Sequence, residues 1–355
     1  MKMSAPFSRT LLAIAVSGVS FTALADAEFE RKVEERLAKL EQQKSAGSGS
    51  LLGDKVVFAG LVEVAGSLGK DFNDDSYSDL VVKTVELGIS AAINDKVEAD
   101  IILLYEEDET ELDVDVATLS FDKLVGPVDL LLGKQYLPFG RFETALVNDT
   151  LILELTETNK TAALFGLEQD GFYVGAYLFD GSVDRERNVE NYGVTASFGQ
   201  DNFNVGFDYI SALTESDNIS DVVPGAAALE SDEGAFSLSA SLSAEALTFI
   251  AEYMTAIDDI EWVGGFEAQP SAFQLEVDFA AKVSEQDYTF AFAIQETDDA
   301  GGWLPEQRLS LGASTEVYEN VGLGVEYWRD TDYSEAKGGT DEKSNNIVVQ
   351  LAVEF

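Results

Sequence analysis

The feature that most constrains this chain is a period of two that starts near residue 56 and runs to residue 355. In 271–283, Phe273, Leu275, Val277, Phe279 and Ala281 alternate with Gln274, Glu276, Asp278, Ala280 and Lys282. In 202–211, Phe203, Val205, Phe207 and Tyr209 alternate with Asn204, Gly206 and Asp208. In 320–328, Val321, Leu323, Val325 and Tyr327 alternate with Gly322, Gly324 and Glu326. Successive side chains of a strand point to opposite faces, so each segment has one apolar face and one polar or very small face. Sixteen such segments can be counted, over 56–68, 80–92, 96–106, 112–122, 128–137, 161–169, 171–180, 191–199, 202–211, 234–243, 246–256, 271–283, 287–296, 306–316, 320–330 and 343–355.

The connections alternate too. Short turns fall near 94–95, 169–170, 200–201, 243–245, 285–287 and 319–320, and longer acidic loops near 69–79, 138–160, 181–190, 212–233, 257–270, 297–305 and 331–342. Short turns on one rim, long loops on the other and an even strand count predict an all-β fold, a 16-stranded antiparallel transmembrane β-barrel over 56–355. A soluble sandwich also alternates apolar and polar faces, but sixteen strands rarely share one core. The segment from Ile347 ends with apolar residues at alternate positions back from Phe355, which resembles the signal read by the machinery that assembles bacterial outer-membrane barrels.

Composition removes whole classes of chemistry. The 355 residues include no histidine and no cysteine, which excludes histidine bases, cysteine nucleophiles, disulfides and Cys/His zinc sites. A net charge of -44 argues against a nucleic-acid partner. Carboxylates are so abundant that no pair stands out as hydrolytic, so no enzyme, cofactor or metal site is expected. The acidic runs Asp71–Asp75 and Glu106–Glu109 could meet divalent cations bridging lipopolysaccharide, yet they lack the spacing of a calcium loop and read as solvated surface.

The first residues look like an address. Lys2 and Arg9 precede the apolar stretch 11–19 and then Ala23-Leu24-Ala25, the pattern of a cleaved signal peptide over 1–25. Residues 26–44 read as a short helix with Val33, Leu37 and Leu40 at heptad spacing, either a small periplasmic coiled coil or a single solvated helix. Residues 45–55 read as a flexible linker. The helix could also tether the barrel to the cell wall or a partner.

The polar face of a barrel this wide lines water. Its candidates are Glu63, Glu86, Glu98, Asp100, Asp208, Glu252, Glu276, Asp278, Lys282 and Glu326, an acidic set that should attract cations. Screening by salt could blunt that field. Loop 138–160 differs from the other loops by its apolar run Leu151-Ile152-Leu153 with Leu155. Folded into the barrel and packed on its wall, it would use Arg141, Glu143, Asp149, Glu154, Glu157 and Lys160 to narrow and charge the pore. A seventeenth strand or a rim flap would also accommodate 150–156.

The stretch from Leu131-Leu132-Gly133-Lys134-Gln135-Tyr136-Leu137-Pro138-Phe139-Gly140-Arg141-Phe142-Glu143-Thr144, continued by Leu153 to Thr158, resembles the LbtU-type siderophore porin family. Gly60-Leu61-Val62-Glu63-Val64 and Leu103-Leu104-Tyr105-Glu106-Glu107-Asp108 do so too, as does the short helix before the barrel. The resemblance implies an outer-membrane barrel that imports a ferric siderophore passively, without a plug domain. A general cation-selective porin with no siderophore role is the alternative. Expected partners are outer-membrane lipid and lipopolysaccharide, the permeant chelate or small cations and, by porin analogy, two further copies in a homotrimer.

Overall fold

A computed structural model describes residues 55–181, 189–222, 229–231, 233–262, 266–300 and 304–355. The expected signal peptide, helix and linker lie outside the described residues, Lys55 apart. The first nine strands are β1 (Val56–Lys70), β2 (Ser76–Asn94), β3 (Val97–Glu106), β4 (Thr110–Val125), β5 (Val128–Tyr136), β6 (Asn159–Gln169), β7 (Phe172–Phe179), β8 (Asn191–Gln200) and β9 (Phe203–Ile210). After β10 (Leu229–Ser231) come β11 (Ala235–Ala244), β12 (Leu247–Ala256), β13 (Ile260–Trp262), β14 (Phe266–Ala268), β15 (Ser271–Val283) and β16 (Gln286–Asp298). The last are β17 (Gln307–Tyr318), β18 (Val321–Thr331) and β19 (Lys343–Glu354).

Among the described residues, sixteen strands close an antiparallel barrel, and β10, β13 and β14 form a separate three-stranded sheet. The sixteen are the segments that periodicity picks out, with ends moved by a few residues. The seam joins β1 to β19 in the register Leu61↔Glu354 to Lys70↔Asn345. Gly60 and Phe355 exchange backbone hydrogen bonds of 2.8 and 3.0 Å just beyond that ladder. The Phe355 ring lies against Gly60, where a Cβ would collide with it. Closure gives every barrel strand two neighbours, which is what lets a sheet sit in lipid.

Alternation sorts the side chains. Leu275, Phe279, Phe290, Phe292, Leu311, Val349 and Leu351 form part of an exposed apolar outer wall. Gln274, Glu276, Asp278, Ser310, Glu326 and Gln350 are buried on the inner face. Two departures from a uniformly polar interior matter. First, the inner faces of β5 to β7 carry an apolar patch: Leu131, Ala162, Leu164, Tyr177 and Phe179 form a core inside the barrel with Phe139, Ile152, Leu155, Leu213 and Ile219. Part of the interior is therefore packed solid, so sixteen strands enclose less water than their number alone implies.

Second, two β-bulges break parity on adjacent walls. Glu63 pairs with Thr84 but Val64 pairs with Val82, which leaves Lys83 as the extra residue of β2. Ile102 pairs with Val116 but Leu103 pairs with Val114, which leaves Asp115 as the extra residue of β4. A bulge re-aims the side chain it carries.

Candidate functional site

Residues 137–158 leave the top of β5 and return at β6, and between them they cross to the opposite inner wall. Leu137 N donates to Thr158 O (2.8 Å), which pins the two ends of the excursion together. Gly140 (φ 98°) and Phe142 (φ 57°) both take left-handed backbone, so the glycine at this sharp entry is required by its conformation. Thr150 caps a short helix, α1 (Leu151–Thr156), by accepting a hydrogen bond from Leu153 N. Leu151, Ile152 and Leu155 of α1 are buried. The apolar run is thus a single helical element packed inward, and it adds no strand to the barrel.

Most of 138–150 has no regular structure, so its backbone N–H groups need acceptors from elsewhere. Side chains of the wall supply them. Gly140 N donates to Asp208 Oδ2 (3.3 Å) on β9. Arg141 N and Phe142 N donate to the two oxygens of Glu252 (2.7 and 2.9 Å) on β12. Ala145 N and Thr144 Oγ1 donate to Glu276 (2.6 and 2.7 Å) on β15. Val147 N and Asn148 N donate to Glu326 Oε2 (both 2.8 Å) on β18, and Leu151 N donates to Gln295 Oε1 (2.6 Å) on β16. Inner-wall glycines complete the bed: a Cβ on Gly312 or Gly324 would come within 2.7 Å of Leu146 or Val147.

The expected lumen residues therefore divide. Asp208, Glu252, Glu276 and Glu326 face inward but are 1, 3, 0 and 1 % exposed, because the loop lies on them. Their charge is spent on loop amides rather than presented to water. Glu63, Glu86, Asp100 and Asp278 are also inward and buried. Glu63 accepts from Gln350 across the seam (2.8 Å), and Asp100 is held by Ser90, which also donates to Glu98 (2.6 Å). Lys282 is at the turn end of β15, exposed and 3.7 Å from Asp287, far along the strand from Glu276.

The loop residues divide as well. Arg141 Nη2 meets Asp208 (3.2 Å) and Thr195 Oγ1 (3.1 Å). Lys160 belongs to β6 rather than the loop and lies 3.5 Å from Glu215. Glu143 is half-buried, with its carbonyl accepting from Gln274 (3.0 Å). Arg141 and Glu143 border a small recess with Asn204, Ser239, Ser241 and Glu252. Asp149, Glu154 and Glu157 are on the remaining part of the loop and are half-buried. A second segment, 211–222, docks there: Asn218 donates to Glu154 Oε2 (3.0 Å), and Asp217 N donates to Glu157 O (2.8 Å).

Burial raises the carboxyls of Asp149 and Glu154 above the usual range, while Lys83 and Arg308 oppose the rise. Burial pushes Glu157 up to about 8, with the negative charges of Asp149, Asp217, Asp115 and Glu154 adding to it.

Lys83, Asp115 and Arg308 are charged lumen residues outside the expected set, and the first two escape a period-two reading. Lys83 and Asp115 have the parity of the lipid face and turn inward through their bulges. Asp115 accepts from Tyr136 Oη and Asn159 Nδ2, both at 2.9 Å. Arg308, on the inner face of β17, chelates Asp330 (2.8 and 3.3 Å) and reaches Asp149 O (3.5 Å). Its even-numbered place beside Ser310 and Gly312 was the available signal.

No family model matches the chain. It is 22% identical over 326 residues to a UPF0422 protein of Coxiella burnetii, covering 84% of this chain and 69% of that protein. It is 22% identical over 317 residues to a UPF0422 protein of Legionella pneumophila strain Lens, covering 78% of this chain. The chain spans 59% of that relative's length. Among solved structures it is similar to an anion-selective porin from Comamonas acidovorans (TM-score 0.62, 12% identity, 84% of this chain and 99% of that one). It is also similar to the outer-membrane channel DcaP of Acinetobacter baumannii (0.60, 13%, 87% and 100%). OmpT of Vibrio cholerae in its trimer form matches as well (0.54, 13%, 84% and 99%). The fold is that of 16-stranded bacterial outer-membrane porins.

Proposed function

We propose that this protein is an outer-membrane porin through which small hydrophilic solutes diffuse passively, with a lane that favours neutral and cationic ones. The observation that carries the reading is the loop fastened across the interior by Asp208, Glu252, Glu276, Gln295 and Glu326. A loop held on one wall at five points leaves a narrowed lane along the other. Asp149, Glu154 and Glu157 on the loop, and Glu86, Glu106 and Asp115 on β2 to β4, border that lane. A lane bordered by carboxylates concentrates cations. The Comamonas porin is anion-selective by name, so this fold sets a channel and its side chains set the sign.

Within this reading the permeant is a ferric siderophore of neutral or positive overall charge. Arg141 and Lys160 already neutralise Asp208 and Glu215, so neither is spare for a carboxylate-rich chelate. A general cation-selective porin is favoured by that same balance and is the second reading. Trimeric assembly, as in the trimer form of OmpT, belongs to the proposal.

The test is single-channel recording of the refolded protein in planar bilayers, with ferric chelates of graded charge added stepwise. Concentration-dependent block by a neutral or cationic chelate supports the siderophore reading. An open cation-selective channel indifferent to every chelate supports the second. An anion-selective channel removes both.

A further inference from the structure

Among the described residues, four basic side chains lie inside the barrel around the loop, and three are locked. Arg308 is 2.8 Å from Asp330, Arg141 is 3.2 Å from Asp208, and Lys160 is 3.5 Å from Glu215. The fourth is Lys83. Among the described residues it forms no ion pair and no side-chain hydrogen bond. It is nevertheless surrounded by carboxylates: the charges that act on it most strongly are Asp149, Glu109, Glu106 and Glu154, and Glu63 also feels it. They come from three places, namely the loop, the β3–β4 turn region and the neighbouring strand. Asp149 is the strongest of them, and its carboxylate likewise holds no hydrogen bond among the described residues.

An ammonium amid several carboxylates but touching none is held by field rather than contact. Lysine suits this, being a compact, strongly hydrated charge on a flexible stem. Its position is built in, because the bulge that leaves Lys83 unpaired directs an additional side chain into the lumen. We propose that Lys83 is a tethered counter-ion of the permeation lane, occupying the place that the primary ammonium group of a permeating organic cation would take. The lane's ligand class is then ammonium-bearing organic cations, and Lys83 sets how tightly they are held by competing with them for Asp149 and its neighbours. This rests on the channel reading above.

The experiment is block of potassium current by 1,4-diaminobutane, a dication with two primary ammonium groups, in the refolded full-length barrel. For wild type, block is weak and concentration-dependent. For Lys83→Gln the half-blocking concentration falls about tenfold, the scale of one partly screened charge at close range. Lys83→Arg, which keeps the charge, restores weak block. Asp149→Asn raises the half-blocking concentration, and it carries the test should Lys83→Gln fail to refold. Lys96→Gln, at an exposed turn on the rim, makes the same charge change and leaves block as in wild type. A conducting Lys83→Gln channel with unchanged or weaker block overturns the inference while leaving the porin standing. A refolded wild type with no conductance overturns the channel reading and this inference with it.

Discussion

At the scale of single residues, the interior is organised by carboxylates used as backbone acceptors. Glu252 receives two loop amides, at 2.7 and 2.9 Å, while 3 % exposed. Truncating it strands both donors, and each unmet buried donor costs about 1–3 kcal/mol. Glu252→Ala should therefore lower the midpoint of urea unfolding and give larger, noisier single-channel currents as the loop loosens. Currents indistinguishable from wild type would show that the loop is held without it. Gly324→Leu should act in the opposite direction. Its side chain would occupy the space of Val147 and push the loop off the β18 wall into the lane. The barrel should still refold, judged by its heat-modifiable mobility on gels, but conduct less. A conductance equal to wild type would mean that this part of the loop does not border the lane.

At the scale of elements, the loop between β5 and β6 carries the titration. Its Glu157 ionises at about 8, because burial and nearby negative charge oppose its anion. Below that pH it is neutral, and above it the lane gains one negative charge. Cation permeability relative to chloride, read from reversal potentials, should rise between pH 6 and pH 9. Glu157→Gln should flatten the rise; an identical slope in the variant would assign the titration elsewhere. The sign for stability is opposite. A carboxyl whose folded value lies above its unfolded one near 4.3 contributes fully at low pH, and the contribution is lost as pH climbs through about 8. Loop docking should loosen toward alkaline pH.

Much of this element was legible in the sequence. An apolar run in an otherwise polar loop predicts inward packing, and Leu151, Ile152 and Leu155 are buried as that requires. The acceptors were half legible. Parity placed Asp208, Glu252, Glu276 and Glu326 inward, yet nothing local said that a loop more than fifty residues away in the chain would cover them. Lys83 and Asp115 were illegible for a geometric reason. One inserted residue reverses parity, and a bulge leaves no mark in hydrophobic alternation when its neighbours are valines, as Val81, Val82, Val85, Val114 and Val116 are.

At the scale of the whole molecule, the ladder and the loop are separable. β5 pairs with β6 up to Tyr136↔Asn159, and the closed ring of strands has no gap that the loop fills. Replacing 139–157 with a short Gly-Ser connection should therefore leave a barrel that refolds, though less stable, since the apolar core around Ile152 and Leu155 goes with it. Its channel should change in two linked ways. Conductance should rise severalfold, because the interior of a sixteen-stranded barrel is too wide for wall side chains to fill. Cation selectivity should rise as well: Asp208, Glu252, Glu276 and Glu326 lose their amide partners, and Asp208 its Arg141, and face water as free carboxylates. That gain outweighs the loss of Asp149, Glu154 and Glu157, whose ionisation burial opposes. The second change separates this architecture from a simple obstruction. Removing a mere obstruction would widen the pore and let screening weaken its selectivity. Removing a loop that masks four wall charges should widen the pore and make it more selective at low salt. Reversal potentials of the shortened channel at low and high salt decide between the two.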